Sequence, residues 1–221
     1  MFKGRRLDNK RTDWVGGAVG YCPQEPQILS GSIADNIARF SDGYDFEAVV
    51  RAARLVGLHD RVEALPQAYG TLLGMGGFPL SAGLKQQVAL ARAFYGDPDL
   101  IVLDEPAVWV EQVAQTALLQ SIDTARSRGA AVVLITHQPG LLRGADRIAL
   151  VRAGSIEMLG PRAQVMERLG ARAGTVADTE TRREGSPKAA AGSASGALRH
   201  AQPVSGAVTL AATRSGRGQM E

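Results

Sequence analysis

Cysteine is almost missing: Cys22 stands alone among 221 residues. No internal disulfide can brace the fold, and the lone thiol reads as a small buried hydrophobe. Aromatics make up only 5% of the chain against an apolar fraction of 45%, so a core would be aliphatic. No apolar run approaches the roughly 18 residues that span a bilayer; the best is Ala130 to Ile135. Behind the basic opening "MFKGRRLDNKRTDW" there is no apolar stretch, so it does not read as a secretory signal. Charge of one sign is not concentrated on any folded part. Residues 1–13 and 170–221 each carry a net +3, which leaves −3 for the middle of a chain of net +3. The basic excess lies in the flanks, so a nucleic-acid stripe is not indicated despite a pI of about 9.3.

What remains is an alternation of strands and helices. "AVGYCPQ" predicts a short strand over Ala18 to Tyr21 running into a Pro-Gln loop, and Ser30 or Ser32 can cap a short helix after it. Phe46, Val49, Val50 and Ala53 have helical spacing, and a further short helix is predicted from His59 to Leu65, before Pro66. After the glycine-rich "YGTLLGMGGFPLSAG", Ser81 reads as the N-cap of a helix to about Tyr95, with Leu84, Val88, Ala91 and Tyr95 on one face. A strand over Leu100 to Leu103 runs into Asp104 and Glu105. An amphipathic helix from Val110 to Ile122, a buried strand "AAVVLIT", the pair "RIALVR" and "SIEML" around a tight turn, and a helix opened by Pro161 and ending near Leu169 follow. Continuous apolar strands between helices argue for an α/β sheet covered on both faces, with a helical subdomain at about 32–95. Beyond Gly170 the chain is Ala/Gly/Ser-rich without periodicity and reads as a disordered tail over 170–221, although the apolar run Val204 to Ala212 could dock.

Four short motifs occur in a fixed order: "YCPQ", "LSAGLKQQVALARA", "DLIVLDEP" and "VVLITH". Singly each is weak. Together, over residues 14–169, they resemble the nucleotide-binding domain of ABC transporters, with wording similar to the type I secretion (haemolysin and protease) exporters. The resemblance implies a P-loop NTPase-like sheet with an α-helical subdomain, ATP and Mg²⁺ as ligands, and ATP-driven export of protein or peptide. It also implies a second nucleotide-binding domain and a transmembrane exporter domain as partners, at the cytoplasmic face of the inner membrane, with no specific nucleic-acid partner.

Site residues follow from the matched positions. Asp104 corresponds to the Walker B aspartate that holds Mg²⁺ through water, and Glu105 to the catalytic glutamate that orients or deprotonates the attacking water. Gln24 corresponds to the glutamine that senses Mg²⁺ and the γ-phosphate, and His137 to the switch histidine. Ser81 and Gly83 begin the signature helix, an anion site facing ATP held by the opposite domain. Departures are visible. The signature reads Leu80-Ser81-Ala82-Gly83-Leu84 where the family has Leu-Ser-Gly-Gly-Gln. "VWVE" places Trp109 and Glu111 in the loop that usually ends in Leu-Asp. Met75 stands where exporters commonly carry a glutamate. No Gly-x-x-x-x-Gly-Lys-Ser/Thr pattern surrounds Lys3, Lys10, Lys85 or Lys188. The Walker A strand and helix are therefore expected to be missing, with impaired ATP handling, an incomplete sheet and low stability as consequences. Two alternative roles remain open at this point: a non-catalytic partner completing an ATP site in trans, and a soluble ABC-type ATPase acting on nucleic acid.

Overall fold

The computed structural model describes residues 15–107, 112–169 and 207–213. A one-turn helix α1 (Val15–Ala18) leads into β1 (Val19–Cys22), one residue later than the apolar pattern suggests. A small antiparallel pair, β2 (Gly31–Ser32) and β3 (Leu72–Leu73), brackets α2 (Ile33–Ile37), α3 (Phe46–Leu55) and α4 (His59–Glu63). Then come α5 (Ala82–Phe94), β4 (Leu100–Asp104), α6 (Gln112–Ser127), β5 (Ala131–Thr136), β6 (Arg147–Arg152) and β7 (Ser155–Pro161). Residues 162–169 are helical (α7), and β8 is Ala207–Thr213.

The main sheet has the order β1-β4-β5-β8-β6-β7. β1, β4 and β5 are parallel, in the register Cys22↔Leu103 and Asp104↔Ile135. Their C-terminal ends thus form one edge. β6 and β7 form a hairpin across Ala153 and Gly154, both at positive φ (47° and 77°), the conformation a two-residue turn requires.

The capping signals act as the residue types suggest. Ser32 caps α2 in a reciprocal box: its Oγ accepts the Asp35 N–H at 3.0 Å, and Asp35 Oδ2 accepts the Ser32 N–H at 2.9 Å. These Ser32 hydrogen bonds hold the Asp35 carboxyl below its ordinary pKa. Ser81 caps α5 by accepting the Leu84 N–H at 3.3 Å.

Several expectations change. α5 is no one-faced amphipathic helix: Gln86, Gln87, Ala89 and Leu90 are buried along with Leu84, Val88 and Ala91. It runs tightly against β1, where a Cβ at Gly20 would stand 1.8 Å from the Ala93 carbonyl oxygen. Phe46 opens α3 but stays 49% exposed, its ring edge-on to Tyr69 at 5.5 Å. Pro161 ends β7 instead of sitting at the first helical position.

The sheet is not equally covered on its two faces. Ile101, Leu103, Val132 and Leu134 are buried, while Leu100, Val102, Val133 and Ile135 remain partly exposed. The tail expectation fails for one segment. Ala207–Thr213 is a strand in the middle of the sheet, antiparallel to both β5 and β6. Composition hides it because its partners are supplied by a gap elsewhere in the chain, not by local periodicity. The rest of the tail, and Trp109 and Glu111, lie outside the described residues.

Candidate functional site

The parallel register brings three chain-distant segments to one sheet edge. Asp104 is the last residue of β4. Glu105 follows at φ 44°, a left-handed conformation costing roughly 1 kcal/mol for a residue with a Cβ. The Glu105 N–H still donates to Ile135 O at 2.9 Å, so the turn stays locked to β5. The unusual φ swings the side chain across the end of β5.

There Glu105 meets His137. Glu105 Oε1 accepts the His137 backbone N–H at 3.1 Å and faces His137 Nδ1 at 2.8 Å. A carboxylate can only accept, so Nδ1 carries the proton and Nε2 is turned away from it. The Glu105 side chain is 12% exposed and that of His137 is 56% exposed. Glu105 Oε2 is buried and, among the described residues, has no hydrogen-bond partner. A buried, unpaired carboxylate oxygen is costly, and at a strand end beside an exposed imidazole it marks a place for a donor from outside. Thr136 Oγ1 accepts the Gln138 N–H at 3.0 Å, stiffening the loop that carries the histidine.

Gln24 lies two residues past β1, on the same edge and exposed. Beneath it Cys22 is fully buried, its thiol pushed up to about 12, chiefly by burial. Gln86 Nε2 reaches Cys22 Sγ at 3.6 Å, joining α5 to the end of β1.

Ser81 and Gly83 stand at the start of α5. Among the described residues no hydrogen bond links them to Gln24, Asp104, Glu105 or His137. Leu84 is buried in the core, which accounts for an apolar residue at that signature position: it packs inward and does not reach for a ligand. Met75 is 99% exposed.

A further group of residues was not visible as functional in the sequence. Asn36 is completely buried. Its Oδ1 accepts the Leu29 N–H at 3.0 Å and Arg92 Nη2 at 2.8 Å, and its Nδ2 donates to Leu29 O and Ser32 O. Arg92 also donates to Asn36 O at 2.7 Å and Gln27 O at 2.9 Å. Arg39 donates to Arg92 O and to Val19 O. The loop carrying Gln24 is thereby tied to α2 and α5. The available signal was an asparagine one residue before Ile37, in a turn whose other residues besides Asp35 are apolar.

Among the described residues no cluster of three or more His, Cys, Asp or Glu could enclose a metal by itself. Mg²⁺ needs no such cage, since it keeps waters and takes substrate phosphate oxygens beside one or two carboxylates. Asp104 and Gln24 at adjacent strand ends fit that donor set. No described helix is long and apolar enough to cross a membrane.

The family model described as "ABC transporter" matches residues 1–108. The type I secretion system ATP-binding protein PrsD of Rhizobium meliloti is 42% identical over 163 residues, covering 74% of this chain and 28% of PrsD. The leukotoxin translocation ATP-binding protein LktB of Mannheimia haemolytica is 30% identical over 167 residues, covering 76% of this chain and 23% of LktB. The structure of a bacterial Atm1-family ABC exporter with ATP bound superposes with a TM-score of 0.64 at 27% identity, covering 79% of this chain and 29% of that one. The chain spans less than a third of the length of each of these relatives.

Proposed function

Since the chain belongs to the ABC transporter family, carrying part of that family's ATP-binding domain, we propose that it serves an ATP-driven exporter of the type I secretion class. The observation that carries this reading is the Glu105–His137 contact at the ends of β4 and β5, beside Asp104. In this reading Asp104 and Gln24 would hold Mg²⁺. The metal supplies charge neutralisation on the transferred phosphoryl group. Glu105 Oε2, unpaired and buried, takes the hydrogen of the attacking water, while Oε1 holds His137. The exposed His137 ring would approach a γ-phosphate oxygen from its Nε2 side, a contact that needs an N–H there because the oxygen only accepts. The Ser81 hydroxyl uses its lone pair on Leu84 N–H and keeps its proton for a phosphate bound by a second domain.

The residues that process a γ-phosphate are present, but no Gly-x-x-x-x-Gly-Lys-Ser/Thr pattern occurs among these 221 residues. We assign the phosphate cradle to residues outside this sequence. ATP handling by these residues alone is accordingly impaired. Export of a protein or peptide, pairing with a second nucleotide-binding domain, and attachment to a transmembrane domain at the cytoplasmic membrane face belong to the same proposal.

The test is equilibrium binding of Mg·ATP to the chain, alone and with an added exporter fragment that carries a phosphate loop. Binding should tighten at least about tenfold with the fragment, because backbone N–H groups of such a loop supply the missing anion site. Equal affinity in both cases would refute the assignment.

A further inference from the structure

β8 comes last in the chain yet sits in the middle of the sheet. Because it is antiparallel to both β5 and β6, those two strands run in the same direction, as do β1, β4 and β5. Take β8 away and four strands of one direction remain, with a gap between β5 and β6 one strand wide, about 10 Å. The gap has an open ladder on each side, over Val132–Thr136 and Arg147–Arg152. Unpaired N–H and C=O groups at the centre of a sheet are costly and recruit other strands. Residues 170–206 separate α7 from β8 in the sequence, and a chain segment of that length, at up to about 3.3 Å per residue, can return to its own sheet.

Direction has a further consequence. Thr136, directly before His137, pairs with Thr209 near the start of β8. An antiparallel strand therefore brings its first residues to the edge where Asp104, Glu105 and His137 stand. A parallel strand in the same gap would bring its C-terminal end there, with whatever loop followed it. That end is where open α/β sheets bind ligands.

We propose that the gap between β5 and β6 is a strand-accepting slot, and that the chain's own Ala207–Thr213 plugs it in cis. The plug completes the sheet and holds β5 and its histidine in place. A parallel strand, and the loop it would carry, has to displace this plug to take the same position. This inference rests on backbone pairing and does not depend on the ATP reading.

Cross-strand cysteines in the full chain test it. Val133→Cys with Ala212→Cys and Leu150→Cys with Thr209→Cys each join residues paired in the sheet. Oxidised at micromolar concentration, at least one pair should close as a disulfide within a monomer. Disulfide-linked dimers alone would assign the slot to a second copy and overturn the cis plug, as would failure of both pairs to close. Hydrogen exchange on the unsubstituted chain gives an independent reading should the variants fold poorly. Those amides of Val132–Thr136 and Arg147–Arg152 that face β8 should be protected, and Ala211→Pro should speed their exchange by at least about tenfold while α5 stays protected. Unprotected amides in the parent chain, or equal exchange in the two proteins, would overturn the proposal.

Discussion

Replacing Asn36 by alanine should cost about 3 kcal/mol, nearly all of it from hydrogen bonding. Asn36 is completely buried, and its side chain serves Leu29 N, Leu29 O, Ser32 O and Arg92 Nη2. The bonds to Leu29 and Ser32 are neutral, and Leu29 is exposed enough for water to replace part of what is lost. Each is therefore worth about 0.5 kcal/mol. The bond from the Arg92 guanidinium is charge-assisted and worth about 1.5 kcal/mol. For a chain of this size that total lowers Tm by about 6–12 °C. The assay is urea and thermal unfolding of Asn36→Ala, Arg92→Ala and the double variant. The two losses should be non-additive by more than about 1 kcal/mol, because one hydrogen bond is counted in both. An Asn36→Ala protein within about 0.5 kcal/mol of the parent, or strictly additive losses, would refute the view that this network ties the Gln24 loop to α5.

Gly20→Ala should be among the most damaging small substitutions, since the new Cβ meets a backbone oxygen of α5 that cannot move alone; a loss of roughly 3 kcal/mol or more in urea unfolding is expected. Cys22, buried and with its thiol pushed up to about 12, should resist a thiol reagent at pH 8 in the folded chain and react once urea unfolds it. Asp35 has a folded pKa below its ordinary value of 3.8, first because of the Ser32 side chain. Its contribution is therefore present above that value and disappears as pH falls through the lower folded pKa. The stability gap between the parent and Asp35→Asn should be present at pH 6 and close as the pH drops below 3.8, as thermal unfolding at a series of pH values will show.

Much of the site was legible because its parts follow short, local rules. Ser32 and Ser81 announce helix starts through a hydroxyl followed three residues later by a free N–H. Asp104, Glu105 and His137 each follow an apolar strand, and a parallel register then brings them together. What stayed hidden depends on partners far away in sequence. Asn36 and Arg92 look like ordinary polar residues until folding aligns two helices and a loop. Phe46 sits on the apolar arc of α3, but as its first residue it overhangs the core. β8 has no neighbour in sequence that would betray it; only a gap between β5 and β6 gives it a place.

The most direct test of the whole account is Mg·ATP hydrolysis by the chain supplied with a phosphate-loop-bearing exporter fragment. Glu105→Gln should retain Mg·ATP binding and lower turnover by about 100-fold or more, the size expected for loss of a general base. His137→Ala should lower turnover as well, and the double variant should fall no further than Glu105→Gln alone, because the two side chains act through one 2.8 Å contact. Turnover that is unchanged by Glu105→Gln would contradict the assignment of this sheet edge as the site of ATP hydrolysis.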